Sequence, residues 1–215
     1  MTELLQHTAQ TLTQALAGHQ PQRLEHPGSR PAAVLMPLWE NQGQVQVVFT
    51  KRNATLPHHP GQISFPGGAA DPGDADLAET ALRETCEEIG VCQGLVEVVE
   101  RLDQVLTITN FLVTPYVGLV DARADFRPNP VEVERLVVVP LAKVLDRESY
   151  QLQSVNWEGV PMRQVALAHG PDVIWGATAR MLLNLLDALG EKALAVAAVA
   201  GNGAQKAVDS RRGLV

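Results

Sequence analysis

The sequence predicts an α/β fold, an α/β/α sandwich with a mixed β-sheet. Two observations carry this reading. Short apolar runs of strand character are interleaved with segments whose apolar residues recur at helical spacing, in an order of strands, hairpin and helices that fits such a sandwich. Hydrophobic residues make up 46% of the 215, enough to bury a core between layers.

The elements follow in order. Leu5, Ala9, Leu12 and Leu16 recur at helical spacing, so residues 3–17 read as an amphipathic helix ended by Gly18. Residues 19–31, rich in Pro, Gly and charge, are a connector. Ala32–Trp39 and Val45–Lys51 are apolar runs around E-N-Q-G-Q, a hairpin signal. Arg52–Gly61 is a loop, and Ile63–Phe65 a short strand. A helix then starts at Asp76, which has capping-box spacing to Glu79, and ends at Gly90 in the C′ position. Strands are expected near 94–100, 111–120 and 133–139. Pro140 introduces a short helix over 141–146. Two strands around Gly159 fill 150–168, and Ile174–Leu189 is helical. Residues 1–190 read as one domain, and 191–215 as an Ala-rich marginal helix fading into a tail.

The most informative stretch is Gly67–Val91, G-G-A-A-D-P-G-D-A-D-L-A-E-T-A-L-R-E-T-C-E-E-I-G-V. Glu84, Glu87 and Glu88 stand at i, i+3 and i+4, so their carboxylates project from one helix face. Like charges on one turn repel. A hard divalent cation such as Mg²⁺ removes the conflict, because it takes carboxylate oxygens and commonly also holds substrate phosphates. Charged helix faces are more often merely solvated, and R-E-x-x-E-E alone fits that plainer reading. The context favours chemistry. Ala78, Ala81, Leu82, Thr85 and Ile89 form a separate core-facing stripe. Arg83 lies four residues before Glu87 and can orient it.

This segment resembles the signature box of the Nudix hydrolases, G-x5-E-x7-R-E-U-x-E-E-x-G-U with U apolar. Gly68, Arg83, Glu84, Glu87, Glu88, Gly90 and Val91 fall on the pattern. Asp74 stands where the first Glu belongs, eight residues rather than seven separate it from Arg83, and Thr85 replaces an apolar residue. The segment just upstream, F-T-K-R-N-A-T-L-P-H-H-P-G-Q-I-S-F-P-G-G, is similar to the coenzyme A pyrophosphatase branch, which often shows L-R-x-H-x-G-Q-x-x-F-P-G-G. Leu56, His59, Gly61, Gln62, Phe65, Pro66, Gly67 and Gly68 match, and Pro57 stands in the Arg position. V-T-P-Y-V-G at 113–118 and I-W-G-A-T-A at 174–179 also look like that branch.

The resemblance implies a Nudix-type sandwich and hydrolysis of a diphosphate with Mg²⁺ or Mn²⁺. It implies catalytic roles for Arg83, Glu84, Glu87 and Glu88, with the metal on Glu84, Glu87, Glu88 and the backbone at Gly68. Coenzyme A or an acyl derivative is the implied substrate, and Arg52, His59 and Gln62 are candidate substrate contacts. Glu134 or Glu132 is a candidate base, since strand alternation puts both on one face; a solvated strand face is the plainer account of them. His58 reads as solvent-exposed, Trp175 as an edge-of-core anchor and Phe65 as core. Two rivals stay open, a hydrolase for another diphosphate (an ADP-sugar, a dinucleotide or an oxidised nucleotide) and a non-catalytic nucleotide-sensing module.

Charge and cysteines narrow the partners. A net charge of −7 lacks the basic footprint of a nucleic-acid binder. It does not oppose an anionic small substrate, because bound cations reverse the local field. Cys86 and Cys92 read as two lone thiols, which together with a start lacking signal-peptide character fit a cytoplasmic protein. No apolar stretch reaches membrane-spanning length. A homodimer is among the assemblies the sequence allows.

Overall fold

The computed structural model describes residues 1–57, 59–157 and 159–201. The chain opens with helix α1 (Glu3–Leu16), capped by the Thr2 hydroxyl accepting from the Leu5 amide at 3.3 Å. Strands β1 (Arg30–Asn41) and β2 (Gln44–Arg52) form the expected hairpin. Gln42 and Gly43 both take positive φ there, 53° and 74°, the twist a two-residue hairpin turn requires. Two short strands, β3 (Ile63–Ser64) and β4 (Gly67–Ala69), precede helix α2 (Leu77–Ile89). Then come β5 (Val96–Arg101), β6 (Val105–Leu106), β7 (Phe111–Val120), β8 (Val133–Pro140) and α3 (Leu141–Val144). A hairpin of β9 (Tyr150–Trp157) and β10 (Val160–His169), then β11 (Asp172–Ile174), α4 (Gly176–Leu189) and α5 (Ala193–Gly201), complete the described chain.

The main sheet is mixed. Its path runs β3-β2-β1-β7-β5, with β4 also on β1, β6 on β7 and β8 on β2. β1 lies parallel to β7 from Arg30↔Phe111 to Leu38↔Leu119 and antiparallel to β2 and β4. Because side chains alternate across a strand, β1 serves two layers. Met36 and Leu38 join the large core with residues of α1, α4 and α5. Ala33 and Leu35 face the other way and pack against Ala81 and Leu77 of α2. Helix α2 therefore lies on one face of the sheet and the helical bulk on the other. β9, β10 and β11 form a separate three-stranded antiparallel sheet, joined to β8 by an ion pair of Arg135 and Asp172.

Three features depart from the sequence expectation. The short strands β4, β6 and β11 were not foreseen, because two or three residues carry no alternation to read. Beyond residue 190 the expected helix forms, but as part of the core and not as a marginal one. Ala193, Val196 and Ala200 of α5 are buried in the large core, and the helix packs against α1. Small side chains permit this close approach, yet their uniform apolarity hides which face is inner. Residues 202–215, where the rest of the tail was placed, lie outside the described residues. Finally, Cys86 and Cys92 are not lone thiols: they form a disulfide, with Cα atoms 4.3 Å apart. Gly90, at φ 75°, turns the chain back at the end of α2 and brings position 92 beside the last turn. The argument from free thiols to a reducing compartment goes with that correction. Among the described residues no helix is long and apolar enough to cross a membrane.

Candidate active site

The start of α2 is held by local chemistry. Asp76 Oδ1 accepts from the Glu79 amide at 2.9 Å, and Glu79 Oε2 accepts from the Ala75 amide at 2.6 Å. The Asp76 bond is the cap that the D-x-x-E spacing predicted; Glu79 reaches back one residue further than the box requires, to Ala75 instead of Asp76. Thr85, in a place where an apolar residue was expected, is buried and donates to the Ala81 carbonyl at 2.6 Å, so its hydroxyl costs little.

Arg83 organises the acidic face. Its Nε and Nη2 donate to the two oxygens of Asp74 at 2.9 and 3.0 Å, a bidentate pair. Nη1 reaches Glu84 Oε1 at 2.8 Å and Glu87 at 3.5 Å. Asp74 also accepts from the Asp71 amide and the Thr80 hydroxyl. The Arg83 hydrogen bonds, followed by that amide, hold its carboxyl well below the usual range. The shorter acid and the extra loop residue thus still deliver a carboxylate to Arg83.

The three glutamates have different surroundings. Glu87 is 56% exposed and turned toward Arg83. Glu84 is half-buried, and desolvation raises its pKa against the pull of Arg83. Its carboxylate lies against Gly68, where an added Cβ would stand 2.5 Å from its Cδ and Oε1. Glu88 is only 3% exposed, and burial pushes its pKa up to about 8. Its neighbours are the Gly67 amide, the Thr50 hydroxyl at 3.5 Å and the Arg52 guanidinium at 4.0 Å. Glu132 adds a like charge that raises the pKa of both Glu84 and Glu88.

The remaining candidates sort by position. β2 brings Thr50 and Arg52 to Glu88 because residues two apart share a strand face. The β2–β8 register shifts between Lys51 and Arg52, so Lys51 opposes Arg135 while Arg52 opposes Val133. That bulge ends the alternation on which Glu132 and Glu134 were given one face. Glu134 pairs with Lys51 at 2.9 Å, whereas Glu132 acts on the box carboxylates. The Gln62 carbonyl accepts from the Arg52 amide at 2.9 Å, which holds the 59–62 turn beside Arg52. His59 sits in that turn at φ 54°. His58 lies outside the described residues. Phe65 is buried and stacks on Phe49. Sequence reasoning missed Thr50; its i, i+2 relation to Arg52 was the available signal.

Among the described residues, no three His, Cys, Asp or Glu side chains converge closely enough to hold an ion by themselves. The donor set nevertheless fits a hard divalent cation. Glu84 and Glu88 offer oxygen ligands withdrawn from water, beside a backbone stripped of side chains at Gly67 and Gly68.

Comparison with known proteins agrees with this geometry. The family model described as NUDIX domain matches residues 29–158. The chain is 37% identical over 165 residues to an uncharacterized Nudix hydrolase NudL of Photorhabdus laumondii, covering 77% of this chain and 87% of that one. It is 38% identical over 162 residues to the chloroplastic Nudix hydrolase 22 of Arabidopsis thaliana, covering 72% of this chain and 54% of that one. Among solved structures, a Nudix hydrolase from Alicyclobacillus acidocaldarius aligns with 80% of this chain and 97% of its own, at 21% identity and a TM-score of 0.47. With the family match spanning the loop, the helix and the buried carboxylates alike, this chain belongs to the Nudix hydrolases.

Proposed function

We propose that this Nudix hydrolase cleaves the diphosphate of coenzyme A or an acyl derivative. Water adds across one P–O–P bridge to give adenosine 3′,5′-bisphosphate and the (acyl-)phosphopantetheine. The observation that carries the hydrolytic reading is Glu88, a carboxylate buried with too little positive charge around it, facing Glu84 across Gly67–Gly68. A divalent cation held there, Mg²⁺ or Mn²⁺, would supply charge to offset the diphosphate oxygens and a lowered pKa for a bound water. Glu84 and Glu88 would hold that cation, with Glu87 at the rim. Arg83, braced by Asp74, keeps Glu84 in place. Glu132, whose charge acts on both box carboxylates, is the proton acceptor we favour over Glu134, which is engaged by Lys51.

The coenzyme A assignment is supported by the residues Leu56–Gly68 and the segments 113–118 and 174–179. His59 and Gln62 are assigned to substrate contact, and a cytoplasmic location goes with this reading. Pro57 in place of an Arg removes one phosphate contact and favours the second reading, a hydrolase for another diphosphate such as an ADP-sugar. A panel of coenzyme A, 3′-dephospho-coenzyme A, ADP-sugars and dinucleotides with Mg²⁺ or Mn²⁺, products resolved by chromatography, separates them. Preference for coenzyme A is the expected result. If the dephospho form or an ADP-sugar is preferred, the coenzyme A assignment fails and the family assignment stands.

A further inference from the structure

Arg52 occupies an unusual electrostatic position. It ends β2, and its guanidinium, 26% exposed, lies 4.0 Å from the buried carboxylate of Glu88. That distance is too long for a hydrogen bond, so the pair is held by charge alone. Meanwhile the Arg52 Nε–H is buried with no acceptor among the described residues. Arginine normally spends its fork of donors on planar oxygen groups. Here the fork neutralises a neighbour and leaves part of its hydrogen-bonding capacity unused. The Arg52 amide is fixed to the Gln62 carbonyl and β2 is paired on both edges, so the backbone is anchored and only the side chain is free to re-aim.

We propose that Arg52 is an internal counter-ion of Glu88 that is exchanged for the divalent cation, and that the released guanidinium then takes the diphosphate. The inference rests on the metal reading of Glu88. Before loading, Arg52 offsets the charge of Glu88 whenever that buried carboxylate is ionised, the form a cation binds. A cation placed on Glu88 supplies that charge more strongly and repels the guanidinium. The diphosphate arriving with the cation offers Arg52 pairs of oxygens for a bidentate contact, including an acceptor for Nε. Arg52 thus opposes metal binding in the free enzyme and assists substrate binding in the loaded one. The guanidinium is assigned to the reacting diphosphate and not to the distant 3′-phosphate of coenzyme A.

The test is calorimetric titration of Mn²⁺ into the metal-stripped full chain, without substrate, for wild type, Arg52→Gln, Arg52→Lys and Glu88→Gln. Arg52→Gln should bind Mn²⁺ about tenfold more tightly than wild type, the scale of one charged contact removed from competition. Arg52→Lys, which keeps the charge, should stay within about threefold of wild type. Melting followed in parallel should show a lower Tm for metal-free Arg52→Gln and a larger rise on adding Mn²⁺, the opposite of what simple damage produces. KM for the diphosphate substrate should rise in the same variant although the metal binds better. Unchanged or weaker Mn²⁺ binding by Arg52→Gln, alongside Glu88-dependent binding in wild type, overturns the exchange and leaves the metal reading intact. Absence of Glu88-dependent binding in wild type overturns both.

Discussion

Within one acidic face, three glutamates of identical chemistry have been given unequal environments, and mutation should rank them. Glu84→Gln and Glu88→Gln should each lower kcat by about 10²-fold or more, because each keeps its shape and loses a ligand charge. Glu87→Gln should lose markedly less, since that side chain is largely in solvent. Glu79→Gln, at the helix start, should leave kcat near wild type and cost about 1 kcal/mol or less of stability, read from denaturant melts. Equal losses of activity at all four would remove the distinction drawn here. Glu88 also predicts a pH dependence. Its folded pKa of about 8 lies above the ordinary carboxylate value of 4.5. The folded state therefore holds a proton that the unfolded state gives up, a contribution present below the unfolded value and lost as pH rises toward 8. In chelator, the Tm of wild type should fall between pH 5 and 8 more than that of Glu88→Gln. Identical slopes for the two proteins would mean that Glu88 is ionised throughout.

In the strand-turn-helix unit of β4 and α2, two adjacent glycines have different jobs. At Gly67 an added Cβ would meet the Ala33 carbonyl oxygen at 2.4 Å, so Gly67→Ala should force β4 off β1 and lower Tm. At Gly68 the collision is with the Glu84 carboxylate, the far end of a flexible side chain. Gly68→Ala should therefore melt near wild type while losing at least about tenfold in kcat, the usual cost of a misplaced catalytic group. A comparison of Tm and kcat for the two variants checks this. The unit was legible in sequence because its signals are local: Asp76 with Glu79, Gly90 at the end, and Arg83, Glu84 and Glu88 at helical spacing. What escaped was set by chain crossings. The bulge between Lys51 and Arg52 depends on how β2 meets β8, and it leaves the charge of Glu132 acting on Glu84 and Glu88 while Glu134 pairs with Lys51. The approach of Thr50 to Glu88 likewise joins residues far apart in the chain, with only the i, i+2 relation of Thr50 to Arg52 to hint at it, whereas the disulfide is local, closed across the turn at Gly90.

For the molecule as a whole, the α/β/α layering was legible because strands and helices alternate clearly from residue 30 to 189, and the sequence placed α2 correctly within it. The far end of the chain was not. α5 has apolar residues on every side, so periodicity could not tell a packed helix from a loose one. Its inner line is decided by α1, which lies at the opposite end of the sequence. Val196 is fully buried on that line. Val196→Ala should cost about 2 kcal/mol by loss of two buried methyl groups and the space they leave, measured by urea unfolding. The exposed Leu194→Ala, in the same helix, should change stability by less than about 0.5 kcal/mol. Equal effects would mean that α5 does not dock against α1 in solution.

The position of β1 between β7 on one edge and β2 and β4 on the other has a kinetic corollary. A strand gripped along both edges and covered on both faces cannot open alone, so its amides should exchange with deuterium only through complete unfolding. The margins of the fold, the β9–β10 hairpin above all, can open and reclose many times before β1 does. Because α2 and the Gly67–Gly68 turn rest directly on β1, the candidate active site is mounted on the part of the chain expected to open last. Activity on heating should accordingly persist until the cooperative transition and then vanish with it, with no earlier decline.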